Sequence, residues 1–404
     1  MKAVESRTKV KISLLENTSF LKRDGTFDKE EAMRYSAKIG GICYNKEGLR
    51  ASLKEPVETT DKRITLTTSM EHQSIYEHIN IGLYIEDIPK IMCMLLNNEH
   101  QYATSERSLR YTPIKKGAAS ISPKEVELYF KWMDILRNEI KEKYGKYYND
   151  SKIETIAQEN SRFMITMFIN SEMVHTIPLV QINRIVAFMK KYITEEKESQ
   201  FKTRIVPYMQ DVIDELKRLN ILDDRLLSNR KNRELSLFGK NLKDKKDEFG
   251  EVYSALYKET CIGIAQAQRH RTLYYQIEFD ETNKEYFVPP IIEDNKKLKE
   301  EWLKDLESVK DLFPMAEQLY VYEKGTYDNF KLKLKERLCS ACQVEVMSIT
   351  KKTLDKYLKA LSKDSKVLYE DLLKYSKGGR CTFPDYECLR PCNFPEGINL
   401  TRKI

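Results

Sequence analysis

Nowhere in the 404 residues does an apolar run approach the ~18 residues of a membrane-spanning helix; the stretch Ile91 to Leu96 (IMCMLL) reads as a buried segment. The first ten residues, MKAVESRTKV, lack the apolar core of a secretory signal. Charge gathers in no single place. Lys+Arg number 69 and Asp+Glu 62, so the net charge is +7, spread along the chain. Nucleic-acid binders show a sharper basic cluster, and the mild excess fits an anionic small molecule. These absences exclude a helical membrane protein and argue against a nucleic-acid partner. Eight cysteines without an export signal point to a reducing cytoplasm, where thiols stay free or hold metal.

What is present is a soluble globular composition, 41% hydrophobic and 32% charged, in a chain long enough for two domains or one duplicated domain. Lys9 to Thr18 has strand character, and the following DKEEAMRYSAKIGGICY offers an Asp cap and a helical run. His78 to Pro89 alternates apolar and polar residues and predicts a strand ending at Pro89. KIMCMLLNNEHQYA predicts a helix running into a loop, and Gln181 to Tyr192 and Ile205 to Leu219 predict amphipathic helices. Asn220 to Phe249 is charge-rich and reads as a solvated linker. Beyond it the pattern resumes, with a helix-like segment from Tyr253 to Gln268, strand-like TLYYQIEF and EYFVPPII, and helices after Asn295 and Asn329. This order repeats that of the first half, so the expected fold class is α+β: two tandem repeats, 1–222 and 223–404, each a small mixed or antiparallel sheet with long helices.

Three motifs carry chemistry. SERSLRY (Ser105 to Tyr111) offers guanidinium forks and hydroxyls suited to phosphate, while its glutamate suits the donors of a base or sugar. A nucleoside monophosphate satisfies both; an exposed salt-bridged turn is the bland alternative. QAQRHR (Gln266 to Arg271) sets two arginines around a histidine, on different sides at that spacing. One could hold a phosphate while the other borders a flat electron-accepting ring; a surface basic triplet is the alternative. EHQSIYEH places His72, Ser74 and Glu77 at the mouth of a strand, where a third metal ligand is not evident and cofactor contacts or plain surface are the readings.

In this order the motifs resemble the flavin-dependent thymidylate synthases, the ThyX family. HQSIYEH matches the family's H-x-S/T-x-x-E-H. NEHQYATSERSLRY (Asn98 to Tyr111) matches the second part of the signature R-H-R-x-x-S-x-N-E-x-S-x-R-Y at Glu106, Ser108, Arg110 and Tyr111, with Asn98, Glu99 and His100 where R-H-R belongs. The second half does the reverse. Gln266, Arg269, His270 and Arg271 match Q-x-x-R-H-R, and TLYYQIEF lacks E-x-S-x-R-Y. ERLCSACQVEV keeps Arg337, Gln343 and Glu345 of the family's L-R-x-x-x-x-A-Q-W-E-I; Tyr192 is the expected counterpart of Arg337 in the first half. Arg162 in ENSRFMIT matches the arginine of A-R-x-x-L-P.

The losses are complementary, which the resemblance explains: family sites are shared between subunits, so a duplicated chain can keep one half of each site in each copy. It implies reductive methylation of dUMP to dTMP by reduced FAD, with methylenetetrahydrofolate and NADPH as co-substrates. Glu106, Ser108, Leu109, Arg110, Arg162, Gln266, Arg269 and Arg337 would bind the nucleotide, and Arg269 and His270 would act at the reacting ring. His72, Ser74, Glu77, Arg269, His270 and Arg271 would contact FAD. Thr326 and Asp328 fall where the family's N-x-R flavin contacts belong. The expected assembly is a homodimer mimicking the family's tetramer. Cys339, Cys381, Cys388 and Cys392 number enough thiols for a structural zinc. Rival readings are flavin and folate chemistry on another pyrimidine nucleotide, or a catalytically silent nucleotide-binding scaffold.

Overall fold

A computed structural model of the chain describes residues 7–114, 120–227, 236–280, 282–392 and 394–404. Part of the expected linker, 228–235, lies outside the described residues. Short helical turns aside, the first half runs β1 (Lys11–Leu14), α1 (Lys29–Gly40), α2 (Val57–Ser69), β2 (Asn80–Pro89), α3 (Lys90–Leu96), β3 (Ala103–Glu106), α4 (Pro123–Tyr144), α5 (Asp150–Ser161), β4 (Asn170–Pro178), α6 (Leu179–Glu195) and α7 (Gln200–Arg218). The second half runs β5 (Val252–Thr260), α8 (Cys261–Ala267), β6 (Tyr274–Glu278), α9 (Lys296–Glu307), β7 (Gln318–Thr326), α10 (Tyr327–Arg337) and α11 (Val344–Asp364). Strand pairing within both sheets is antiparallel. The class is α+β, as the sequence predicts.

Local chemistry sets the boundaries. The Asp28 carboxylate accepts the Glu31 N–H and starts α1. Pro89 and Pro178 each end a strand and cap the helix that follows, their fixed φ near −60° suiting both tasks. Thr260 and Thr326 do the same job in the second half by accepting the Gly263 and Asn329 N–H groups.

Sheet topology repeats. The strand orders are β1-β2-β4-β3 and β5-β7-β6, so in each half the last of three corresponding strands sits between the other two. Spacing repeats as well. Counterparts lie 171 residues apart early in the repeat (Lys90 and Cys261, Ala103 and Tyr274) and 148 apart late in it (Asn170 and Gln318, Leu179 and Tyr327). These offsets align Asn98, Glu99 and His100 with Arg269, His270 and Arg271. They also correct one expectation: Arg337 corresponds to Met189, not Tyr192, and the arginine is still absent from the first half.

Two compact units share the chain, Met1–Arg107 with Asn170–Ser236, and Ser108–Ile169 with Leu237–Ile404. The first holds the sheet β1-β2-β4-β3 with α1, α2, α3, α6 and α7. The second holds β5-β7-β6 together with α4 and α5, which belong to the first half in sequence. Within this second unit the halves meet about a local two-fold. Thr166 bridges Pro314, its own counterpart at the 148-residue offset. The Met167 N–H donates to the Phe313 carbonyl at 2.9 Å, and the Met315 N–H to the Ile165 carbonyl at 2.7 Å. Each of these bonds is the image of the other.

Other sequence expectations need amending. Tyr253 to Gln268 is a strand followed by a helix, the Thr260 hydroxyl accepting the Gly263 N–H where one gives way to the other. EYFVPPII is no strand. It makes one bridge, Tyr286 with Glu317, since Pro289 and Pro290 have no N–H to continue a ladder and instead begin a helical turn. Ala103 to Glu106, expected in a loop, pairs with β4. β7 opens on the strand-forming run Leu319 to Tyr322, and its buried face, Leu319 and Val321, ends on the charged Glu323.

Glu323 is fully buried in β7. It accepts the Lys333 ammonium at 2.5 Å and the hydroxyls of Tyr253 at 2.5 Å and Tyr257 at 2.8 Å. Burial pushes this carboxyl up, and Lys333 with the two hydroxyls more than offsets it, holding the group below its ordinary range. Removing one partner strands a buried charge. Lys333→Met is therefore expected to lower the unfolding free energy by about 3–5 kcal/mol, read by urea titration; a loss under about 1 kcal/mol would contradict a buried ion pair here.

Candidate functional site

The Ser105 to Tyr111 motif straddles the boundary between the units. Glu106 belongs to the first, where its carboxylate is held by the Lys90 ammonium and by Asn97 Nδ2 at 3.2 Å. Ser108, Leu109 and Arg110 belong to the second. The Ser108 hydroxyl accepts the Arg110 N–H at 3.3 Å, and Gln158 donates to the Leu109 carbonyl at 3.2 Å, which fixes the loop. Arg110 then reaches two acceptors: Nε to the Glu159 carboxylate at 2.9 Å and Nη2 to the Ala341 carbonyl at 3.1 Å.

Arg162 lies just past α5 in a turn anchored from α4. A capping box of Ser122 and Glu125 starts α4, and the second oxygen of Glu125 accepts the Thr166 N–H at 2.7 Å. So placed, Arg162 is buried. Its Nε donates to the Glu159 carbonyl at 3.0 Å and its Nη2 to Gln343 Oε1 at 3.1 Å. Burial lowers its pKa to about 10, which Glu159 partly counters and Arg110 reinforces.

From the second half come Gln266 on α8, Arg337 at the end of α10, and the turn leading into α11. Gln266 Oε1 accepts the Gln343 N–H at 3.1 Å and the Cys342 thiol at 3.4 Å. Arg337 Nη2 donates to the Gln266 carbonyl at 2.9 Å. Arg402, from the C-terminal tail, donates Nη2 to the Cys342 carbonyl. Burial pushes the Cys342 thiol up to about 11, against the pull of Arg337 and Arg402, so it is a thiol donor and not a nucleophile.

Both glutamines have a fixed orientation. A backbone N–H and a guanidinium can only donate, so Gln266 and Gln343 each turn the amide oxygen toward these donors and present the NH₂ elsewhere. Gln343 Nε2, Arg337 Nε and Arg402 Nε are buried and have no acceptor. Among the described residues, Arg110 with Glu159 is the one ion pair of these four arginines. The cluster is cationic and offers donors. It suits a ligand with a phosphate and carbonyl oxygens.

Beneath it lie two buried carboxyls. Glu345 accepts the Thr260 N–H at 2.9 Å and the Thr260 hydroxyl at 2.6 Å, tying α11 to the start of α8. Burial raises it to about 7, the Thr260 bonds acting in the opposite sense. Burial and then Glu345 raise Glu259 well above its ordinary range. A side chain at Gly263 would put a Cβ 2.6 Å from Glu259 Oε1, so glycine is required there.

Other expected site residues are placed less decisively. Arg269 and Arg271 are exposed at the end of the short turn after α8, Arg271 at a left-handed φ of 60°. His270 Nδ1 shares a hydrogen bond with the Thr272 hydroxyl at 2.6 Å, and burial keeps its pKa below the ordinary value. His72, Ser74 and Glu77 are exposed on the first unit, Glu77 being 3.8 Å from Arg184. Thr326 spends its hydroxyl on the α10 cap. The exposed Asp328 pairs with Lys331 at 3.6 Å. Cys392, Cys388 and Cys339 lie near enough to Cys381 to raise its pKa further after burial, and among the described residues no group of three His, Cys, Asp or Glu side chains is placed to hold a metal ion. Sequence reasoning also missed Glu159, Cys342 and Arg402. Only contacts between distant segments reveal them.

The chain is thus an α+β protein with a cationic, donor-lined cluster. Residues 27–192 match the family model described as thymidylate synthase complementing protein, Thy1. No curated protein sequence matches it. Solved structures that resemble it in part include the UMP/dUMP methylase PolB from Streptomyces cacaoi bound with 5-Br dUMP, at 14% identity over 45% of this chain and 78% of that one, TM-score 0.29. Another is the flavin dependent thymidylate synthase ThyX from Helicobacter pylori complexed with FAD and dUMP, at 12% identity over 53% and 98%, TM-score 0.31. Among the described residues no helix is long and apolar enough to cross a membrane.

Glu345 makes stability depend on pH. A carboxyl raised from 4.5 to about 7 by folding favours the folded state at low pH; that contribution is complete below 4.5 and lost as pH rises through about 7. Across this window the unfolding free energy should fall less in Glu345→Gln than in the wild type. Parallel curves in denaturant titrations at stepped pH would contradict a buried, protonated Glu345.

Proposed function

We propose that the chain is a flavin-dependent thymidylate synthase-like methyltransferase that converts dUMP to dTMP, using reduced FAD, methylenetetrahydrofolate and NADPH, at a site built from both repeats. One observation carries the reading: Arg110 and Arg162 from the first half stand with Gln266, Arg337 and Gln343 from the second around one short turn. Each half alone is a fragment of the family's nucleotide site. Together they supply both.

Arg110 and Arg337 hold the phosphate, and Arg162 with the Gln266 amide faces the pyrimidine oxygens, where fixed donors stabilise charge that develops on the ring. Glu159 keeps Arg110 aimed, and the Ser108 hydroxyl holds the loop instead of attacking substrate. FAD, when bound, supplies the hydride chemistry. His72, Ser74, Glu77, Arg269, His270 and Arg271 are its proposed contacts, and Asp328 is not one of them. The complementary losses are those of a duplicated gene whose copies have divided one site.

The amide orientations bear on the choice of nucleotide. An NH₂ facing the ring pairs with a carbonyl at position 4 and leaves an amino group there unpaired, which favours uracil over cytosine. A silent scaffold would bind nucleotide without flavin; the purified protein is instead expected to show a bound-flavin absorption band and to release tritium from 5-labelled dUMP. Arg110→Ala and Arg337→Ala should each weaken dUMP binding about 10- to 100-fold, and the wild type should bind dCMP more weakly than dUMP. Calorimetric titration reads all of these. A loss confined to one of the two variants would undo the shared site, and equal affinity for dCMP would undo the choice of base.

A further inference from the structure

The C-terminal tail brings to this cluster a guanidinium that no motif announces. Arg402 is third from the end of the chain, outside the segment matched by the family model. The tail is fastened on both sides of it. The Tyr144 hydroxyl donates to Glu396 Oε2 at 2.6 Å and accepts the Lys403 N–H at 3.2 Å. The Thr401 and Arg402 N–H groups donate to the Glu396 carbonyl at 2.8 and 3.1 Å. Leu400, at a left-handed φ of 58°, turns the chain so that the next two residues can reach back.

Arg402 is 6% exposed, and among the described residues no carboxylate lies within salt-bridge distance of it. Its hydrogen bond goes to a neutral carbonyl, that of Cys342, and its Nε–H is buried without an acceptor. Nearby charge is chiefly positive: Lys152 senses both Arg110 and Arg402, and Cys342 senses Arg337, Arg402 and Arg110. Glu159 is close but already bound to Arg110. A buried cation without its own counter-ion destabilises a fold that an apolar side chain of similar volume would serve better. The position makes sense if an anion comes to it.

We infer that Arg402 is a phosphate-binding residue, a guanidinium delivered by the tail that joins Arg110 and Arg337 in holding the phosphate monoester of the nucleotide. This rests on the nucleotide reading of the cluster. It adds a residue to that reading and ties substrate binding to the last turn of the chain.

The test compares dUMP, deoxyuridine and inorganic phosphate on wild type, Arg402→Gln and Arg402→Lys. Arg402→Gln should weaken dUMP binding about tenfold or more, leave deoxyuridine binding unchanged, and abolish the rise in melting temperature that inorganic phosphate gives the wild type. Arg402→Lys keeps the charge without the fork, so it should retain part of both effects; it carries the test if the glutamine variant does not fold. Equal losses for dUMP and deoxyuridine would mean that Arg402 only supports the Cys342 turn, and unchanged dUMP binding in a folded variant would overturn the inference outright. If the wild type responds to phosphate but not to dUMP, the nucleotide reading falls, and the Arg402 variants still decide whether the tail binds anions.

Discussion

Three guanidiniums reach three consecutive residues, Ala341 to Gln343, through neutral carbonyl oxygens, and a fourth, Arg337, holds the glutamine that grips the same turn. Arg110 donates to the Ala341 carbonyl, Arg402 to that of Cys342, and Arg162 to the Gln343 amide, while Arg337 secures Gln266, whose side chain grips the same turn. Like charges kept this close repel, and a carbonyl dipole compensates only part of that. Glu159 neutralises one of them. In the proposed function an anion would relieve that repulsion, and several contacts of the second unit hold the arginines in place.

That service explains features that look unrelated. The capping box of α4 reaches Thr166 and fixes the turn bearing Arg162. Glu345 binds Thr260 and so sets the start of the helix that carries Gln266. Thr166 and Pro314 join equivalent segments of the two halves about a local two-fold. Each contact links a piece from one half of the chain to a piece from the other, or steadies a piece that does so.

Much of this was legible in the sequence. Alternation along β2, the Asp28 cap and the proline at the end of the strand placed β2, α1 and α3, while α2, α4, α5 and β4 drew no expectation; the motif residues 110, 162, 266 and 337 lie in one unit. Short motifs record what a local segment must do, so they survive in a single chain. The run Leu319 to Tyr322 of β7 carries a strand signal, which the charged Glu323 on the same buried face interrupts. Arg402 was hidden because an arginine in an irregular tail has no periodicity, and its importance comes wholly from Cys342, 60 residues away.

A crystal structure of the chain with dUMP tests the central claim most directly. The account predicts one nucleotide touching both Arg110 and Arg337 of the same chain, with its phosphate and pyrimidine oxygens facing the donors around Ala341 to Gln343. A nucleotide bound to only one of these arginines, or lodged away from that turn, would contradict it.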